Sequence, residues 1–179
     1  MNNKNVVLLN TLGLLGITFV LLMASVLQVV LNELPCPLCL LQRLGFMLVM
    51  FGFMLNVIYG PQQRHYGVLI IGALFGAATA LRQVSLHVIP GTPGFGSPIF
   101  GIHYYTWAFI IFSLTIVGIA VLQLLWNKDC NNNDYKMNKF GKFVCLLAIF
   151  AVVVNVVSTF IECGPYQCPD NPITYWLFN

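Results

Sequence analysis

Residues 36–59 read CPLCLLQRLGFMLVMFGFMLNVIY and place a closely spaced cysteine pair directly before a long apolar run. The run at 40–59 is 20 residues long, which matches the ~20 residues that a helix needs to cross a bilayer core. A helix also satisfies its own backbone hydrogen bonds in lipid. The stretch therefore predicts a membrane-spanning helix that carries two cysteines at its start.

Four further apolar runs of similar length occur in the chain. With 179 residues, of which 59% are hydrophobic and 7% charged, an ordinary soluble domain is excluded. The five predicted spans are 6–31, 40–59, 66–88, 104–126 and 143–161. The first run is longer than the roughly 7–15 residues of a signal-peptide core, so we interpret it as a retained span. We predict an all-α membrane protein, one integral membrane domain over 1–179 built as a bundle of five helices, with a cysteine-containing tail at 162–179.

The basic residues predict the orientation of these spans. Lysines and arginines on the side of the amino terminus number six, against two on the other side. The six are Lys4, Arg64, Lys128, Lys136, Lys139 and Lys142, and the two are Arg43 and Arg82. Because positive charge is retained inside, the amino terminus is predicted to be cytoplasmic and the tail to lie outside. The net charge of +3 is therefore a topology signal, and no basic stripe indicates nucleic-acid binding.

This orientation sorts the six cysteines of the chain. Two pairs fall on the outer side, where disulfides persist, and the two remaining cysteines fall in the inner loop and within span five. The outer pairs are Cys36 with Cys39 and Cys163 with Cys168. The tail pair alone is also typical of a structural disulfide that closes a small loop. Four cysteines on one face, however, permit thiol–disulfide exchange between the pairs.

The first pair has the spacing of a reactive disulfide. Two intervening residues close a small ring that opens readily, and Cys39 is predicted in the first helical turn, where free N–H groups favour a thiolate. Arg43 lies four residues further on and offers a fixed positive charge on the same helix face. An arginine inside an apolar helix is costly, which favours a functional partner. The alternative is that Arg43 extends to the lipid headgroups.

The segment CPLCLLQR at 36–43 resembles the signature of the DsbB family of bacterial inner-membrane disulfide bond formation proteins. The stretch from Gly94 through Trp107 is similar to the approach to the last span in that family, and the resemblance covers about residues 6–126. It implies an enzyme that oxidises a periplasmic, thioredoxin-fold partner of the DsbA type. It also implies that the electrons pass to a membrane quinone, either ubiquinone or menaquinone.

The resemblance also implies roles for individual residues. Cys39 would contact the quinone as a thiolate, Arg43 would orient the quinone ring, and Cys36 would exchange with the second pair. His87 matches the position of a family histidine near the quinone, although it is equally typical of an interfacial histidine. An apolar slot beside a polar anchor could form at the outer ends of spans two and three.

The chain departs from the best-known members in the position of its second pair. Those members have four spans and carry that pair between spans three and four, whereas the corresponding loop here, 89–103, contains no cysteine. A fifth span brings Cys163 and Cys168 to the outer face instead. We predict that Cys168 forms the mixed disulfide with the partner protein and that Cys163 exchanges with Cys36.

Three other functions remain open from the residues alone. The spacings of the two pairs are compatible with a four-cysteine zinc site in a metal-binding membrane protein. The same relay could also run in the opposite direction, as in a quinol-driven or vitamin K epoxide reductase-like enzyme. A non-catalytic subunit with two structural disulfides is the third, and it leaves Arg43 unexplained.

Overall fold

The computed structural model describes residues 3–89, 91, 94–125, 135–166, 168 and 174–178. These residues form α1 (Asn3–Val30), α2 (Pro37–Tyr59), α3 (Gln63–His87), α4 (Tyr104–Leu125) and α5 (Lys139–Cys163), and a 3-10 turn at Trp176–Phe178. All five α-helices are long and apolar enough to cross a membrane. The all-α class and the five predicted spans are thereby confirmed, while position 126 and the inner-loop cysteine, Cys130, lie outside the described residues.

The helix starts lie up to four residues before the predicted spans, because capping groups extend the helices beyond their apolar runs. Pro37 occupies the first turn of α2, where its missing N–H costs nothing. At the start of α5, the Asn138 Oδ1 accepts a hydrogen bond from the Gly141 N–H at 2.6 Å. At the other end, α5 continues through Cys163, so the first cysteine of the tail pair is the last helical residue.

The helix α2 is the centre of the bundle. It packs against α1, α3 and α5, while α4 packs mainly on α3 and α5 packs on α1 and α2. Successive helices run in opposite directions, so α1, α3 and α5 end where α2 and α4 begin. We call this the cysteine end, since it holds both cysteine pairs, and we call the other the opposite end.

Glycines allow the close packing of α2 on α3, most closely where Gly45 meets Gly76. A Cβ atom placed on Gly45 would lie 2.7 Å from the Gly76 Cα, which is closer than real side chains approach. The Phe46 and Phe112 rings stack beside this contact with centroids 4.1 Å apart. Glycine therefore brings the first half of α2 against the middle of α3 and limits the space between them.

The opposite end is held by a network of buried polar side chains. The Asn56 Nδ2 donates to the Asn10 Oδ1 at 2.9 Å, and the Asn10 Nδ2 donates to the Tyr66 hydroxyl at 2.8 Å. The His65 Nδ1 lies 3.0 Å from the Asn56 Oδ1. Satisfied buried networks of this kind fix the relative positions of helices, here α1, α2 and α3.

Candidate redox site at the cysteine end

The Cys36–Cys39 disulfide closes across the first turn of α2, with the two Cα atoms 5.0 Å apart. Cys36 is the N-cap residue in extended conformation, and its Sγ accepts a hydrogen bond from the Cys39 N–H at 3.2 Å. The prediction that Cys39 lies in the first turn is confirmed. Both sulfurs thus lie near the positive end of the α2 dipole, which stabilises a thiolate at either position.

Gln83 of α3 holds this disulfide from the other side. Its Nε2 lies 3.3 Å from the Cys36 Sγ and 3.6 Å from the Cys39 Sγ. The Gln83 Oε1 in turn accepts a hydrogen bond from the Gln42 Nε2 at 2.7 Å, and Gln83 is only 1% exposed. The pair therefore has little freedom to move, because both neighbouring helices fix it.

A cavity of about 360 Å³ opens beside the disulfide. Its wall is mostly apolar and aromatic, and it includes Cys39 but not Cys36. The lining includes Phe19 and Leu27 of α1, Phe46 of α2, and Tyr104, Trp107 and Ile111 of α4. Of the two sulfurs, only that of Cys39 therefore belongs to a residue that a ligand in this cavity would meet.

The slot was predicted at the outer ends of spans two and three, and the cavity includes the start of α2 but extends mainly towards other helices. The cavity lies chiefly between α1 and α4, and α3 contributes only Gln83 to its lining. The start of α2 and the end of α3 are too close to leave a slot, since the Gln42 and Gln83 amides are hydrogen bonded across the interface. Space remains instead where α1 and α4 face one another across α2.

The segment 94–103 covers the mouth of the cavity. The Glu33 carboxylate accepts hydrogen bonds from the Ser97 N–H, at 3.1 and 3.2 Å, and from the Ser97 hydroxyl. The Trp107 indole N–H donates to the Ile99 carbonyl at 3.2 Å. The covering segment is thus tied both to the α1–α2 connection and to α4.

Arg43 is buried, with only 9% of its surface exposed, so it does not extend to the headgroups as the alternative interpretation required. One guanidinium nitrogen donates to the Gln28 Oε1 at 2.9 Å and the other to the Ala24 carbonyl at 3.3 Å. Gln28 also accepts a hydrogen bond from the Ser158 hydroxyl of α5 at 3.3 Å. Arg43 and Gln28 both line the cavity, so a charged donor and an amide face its interior.

His87 is separated from the cavity by the ring of Tyr105. Its Nδ1 is 2.8 Å from the Gln83 carbonyl oxygen, and its ring stacks on Tyr105 with centroids 5.2 Å apart. Tyr105 lines the cavity, whereas His87 is not among the lining residues. Any influence of His87 on a bound ligand would therefore pass through Tyr105.

The Cys163–Cys168 disulfide joins the last residue of α5 to the tail, with the two Cα atoms 4.9 Å apart. Cys163 is 5% exposed, whereas Cys168 is half-buried. Between them, Gly164 has φ +62°, and its N–H donates to the Phe160 carbonyl at 2.8 Å. The positive φ turns the chain back onto α5, where the Trp176 ring packs against Gly164.

The four cysteines are therefore arranged as two separate disulfides at one end of the bundle. Among the described residues, no three histidine, cysteine or acidic side chains come together as metal ligands. Sequence reasoning gave no site role to Gln28 or Glu162, whose only signal was a polar side chain within or at the end of an apolar run.

Comparison with known proteins adds independent information. A family model for disulfide bond formation protein DsbB matches residues 7–94, which contain the Cys36–Cys39 pair but end before the tail pair. Disulfide bond formation protein B of Xanthomonas euvesicatoria pv. vesicatoria is 30% identical over 132 residues, which cover 70% of this chain and 72% of the relative. The protein of the same name from Burkholderia thailandensis is 32% identical over 152 residues, covering 63% of this chain and 88% of that one.

No solved structure matches the chain. The curated relatives nevertheless share most of their length with it, and the matched region includes the helix that presents the first disulfide. Five membrane-spanning helices and a cysteine pair at the start of α2 agree with that similarity. The chain therefore belongs to the DsbB family of disulfide bond formation proteins, which are helical membrane proteins that act as thiol oxidoreductases.

Proposed function

We propose that this protein reoxidises a DsbA-type, thioredoxin-fold protein of the bacterial periplasm and passes the electrons to a membrane quinone, ubiquinone or menaquinone. The chain would form one integral domain of the inner membrane, with a cytoplasmic amino terminus and a periplasmic tail. One observation carries the proposal: Cys39 belongs both to a disulfide and to the wall of an apolar cavity within the bundle. A lipid-soluble oxidant in that cavity would meet the sulfur directly.

The residues of the cavity fit a quinone head group. A volume of about 360 Å³ lies within the range of roughly 300–1,000 Å³ that is typical of small-molecule sites. The aromatic wall suits a flat ring, and Arg43 is a donor for a quinone carbonyl. The Gln28 Nε2 is buried without a hydrogen-bond partner in the described part of the chain, so it is a second donor available to a ligand. The quinone would supply the oxidant that takes two electrons and two protons from the reduced Cys36–Cys39 pair.

The four cysteines would act as a relay. A thiolate of the reduced partner attacks the Cys168 sulfur, and the mixed disulfide resolves to give oxidised partner and a reduced tail pair. Cys163 then attacks Cys36, which frees Cys39 as a thiolate beside Arg43. Exchange requires a thiolate and an accessible sulfur at each step, and the greater exposure of Cys168 supports its position at the partner side.

Arg43 and His87 would serve the quinone in different ways. Arg43 lines the cavity and would contact the ring, whereas His87 would act through its stacking on Tyr105. We expect His87→Ala to affect quinone reduction less than Arg43→Ala does.

Anaerobic mixing with a reduced thioredoxin-fold partner and a soluble quinone, followed by quinone absorbance, tests the proposal. We expect quinone reduction by the wild type and none above background with Cys39→Ala. Cys145→Ala is the matched control, because Cys145 is a buried free cysteine within α5 and takes no part in the relay. Absence of quinone reduction by the wild type, or unchanged reduction with Cys39→Ala, contradicts the proposed function.

A further inference from the structure

The buried polar groups of the two ends differ in how fully they are satisfied. At the opposite end, the side chains of Asn10, Asn56 and Tyr66 bond to one another. Within the described part of the chain, the buried atoms without a partner are the Gln28 Nε2, the Asn155 Oδ1 and both carboxylate oxygens of Glu162. Gln28 lies in the last turn of α1, and Asn155 and Glu162 lie in the half of α5 nearer the cysteine end. Unpaired buried polar groups concentrate at functional sites, since they are costly elsewhere.

Glu162 is the ionisable member of this group. It lies in the last turn of α5, directly before Cys163, and is 3% exposed. Ser158 lies one turn earlier on the same helix face and bonds to Gln28, which accepts a hydrogen bond from Arg43. Glu162 therefore lies on the face of α5 that is linked through Ser158 and Gln28 to Arg43, and its carboxylate has no hydrogen-bond partner among the described residues.

Few other charges face this position. From α1, Ala24 and Gln28, neither of which titrates, contact Arg43 of α2. Cys39 lies one turn before Arg43 on the same helix. The tail contributes Tyr175, which interacts electrostatically with Arg43. Arg43 is thus the positive charge available both to Glu162 and to a Cys39 thiolate. Two buried negative charges that share one positive charge disfavour each other.

We propose that Glu162 is the counter-ion of Arg43 in the oxidised protein and that it takes the proton of Cys163 during exchange, which releases Arg43 to Cys39. This inference rests on the proposed function, because it assigns a role in the transfer between the two cysteine pairs. The Cys163 thiol loses its proton to the Glu162 carboxylate and its sulfur bonds to Cys36, while the Cys36–Cys39 bond breaks. The products are a Cys163–Cys36 disulfide, a Cys39 thiolate and a protonated Glu162, so atoms, electrons and net charge balance.

The arrangement keeps the charge of the buried site constant. Before the exchange the negative charge beside Arg43 is on the Glu162 carboxylate. After the exchange it is on the Cys39 thiolate. An extra buried charge would carry a large desolvation cost, which this exchange avoids. The fifth helix thus contributes a carboxyl group to the site in addition to the second cysteine pair.

Alkylation of Cys39 tests the shared counter-ion without partner or quinone. In a variant with Cys36→Ser, Cys163→Ala and Cys168→Ala, the rate of Cys39 modification by iodoacetamide is measured by mass spectrometry over a pH series. Adding Glu162→Gln removes the competing charge, so over the pH range in which Glu162 is ionised we expect Cys39 to react about tenfold faster, which corresponds to a coupling of about 1.4 kcal/mol. Glu162→Asp, which keeps the charge, should react at nearly the original rate.

A second rate separates this role from a merely structural one. In the chain with all its cysteines, we expect Glu162→Gln to slow transfer from a dithiothreitol-reduced tail pair to Cys36–Cys39 by several-fold, because the proton acceptor is lost. Ser158→Ala is the matched control, since it removes a neighbouring hydrogen bond without changing charge. Unchanged alkylation in Glu162→Gln, or a change of both rates in the same direction, overturns the inference. Failure of quinone reduction alone would contradict the proposed function and leave the alkylation result standing.

Discussion

The two disulfides lie at the same end of the bundle but are held in opposite ways. Cys36 and Cys39 both belong to the start of α2, and Gln83 contacts both sulfurs from α3. In the tail pair, only Cys163 belongs to a helix, and Cys168 lies five residues further along a turn that begins at Gly164. One pair is fixed between two helices, and the other combines a fixed sulfur with one on a connecting segment.

This difference matches the two tasks of a relay. A pair that reacts with a ligand in a cavity must hold one sulfur in the cavity wall, which the position of Cys39 achieves. A pair that reacts with a soluble protein needs an exposed sulfur, and Cys168 is the more exposed member of the tail pair. The buried Cys163 would then pass electrons from Cys168 to the Cys36–Cys39 pair. It lies at the end of a helix that packs on both α1 and α2.

The largest expected effect concerns the two tail cysteines. We expect Cys168→Ala to lower partner-dependent turnover by about a thousandfold or more, because the accessible sulfur is lost and the remaining thiol is buried. Quinone reduction driven by a small dithiol should remain measurable, since the Cys36–Cys39 pair is intact. Both rates are measured with the same preparation by quinone absorbance.

A trapping experiment assigns the attacking cysteine directly. One cysteine of the partner's active site is replaced, and the other is joined in a mixed disulfide to a coloured aromatic thiol. This partner is mixed with variants of the protein in which Cys36 and Cys39 are alanine. Cys163→Ala should form the mixed disulfide rapidly and Cys168→Ala only slowly. A complex that survives Cys168→Ala and is lost with Cys163→Ala would reverse the assignment.

The next effect concerns the rigid pair and its arginine. Arg43→Lys keeps the charge but cannot bond to the Gln28 Oε1 and the Ala24 carbonyl with the same planar geometry. We expect kcat/KM for the quinone to fall by about tenfold to a hundredfold, the range expected when a charged hydrogen bond is lost.

Arg82→Lys is the control for this substitution, because Arg82 also lies near the cysteine end of the bundle, on α3, but is exposed. It should leave kcat/KM within twofold of the wild type. Equal losses in the two variants would contradict the prediction, because they would show that the hydrogen bonds of Arg43 to Gln28 and Ala24 are not the cause.

The number and placement of the helices could be predicted because each span is determined locally. A run such as 40–59 must satisfy its backbone hydrogen bonds within itself in lipid, whatever its neighbours are. The position of Cys39 in the first turn follows in the same way from Pro37 and the cap at Cys36. Local chemistry was sufficient for both.

The shape of the site could not be predicted, because it depends on which helices pack together. The cavity lies chiefly between α1 and α4, because close glycine contacts and the Gln42–Gln83 hydrogen bond leave no slot between α2 and α3. Gln28 and Glu162 likewise have no sequence signal that separates a buried polar side chain from one that reaches the headgroups. Their roles become visible only once α5 is packed on α1.

The smallest expected effect concerns the turn that carries the tail pair. A Cβ atom on Gly164 would lie 2.6 Å from the Trp176 ring, and its φ of +62° is unfavourable for alanine. Gly164→Ala should therefore displace the Trp176 turn and slow partner oxidation by about two- to fivefold, the equivalent of roughly 0.4–1 kcal/mol. Reduction of the quinone by a small dithiol should not change.

Gly91→Ala is the matched control, because Gly91 also has a positive φ, +93°, but no atom near its added Cβ. If both variants slow partner oxidation equally, backbone strain in the outer segments is the cause, and the packing of Trp176 on Gly164 does not position the tail disulfide.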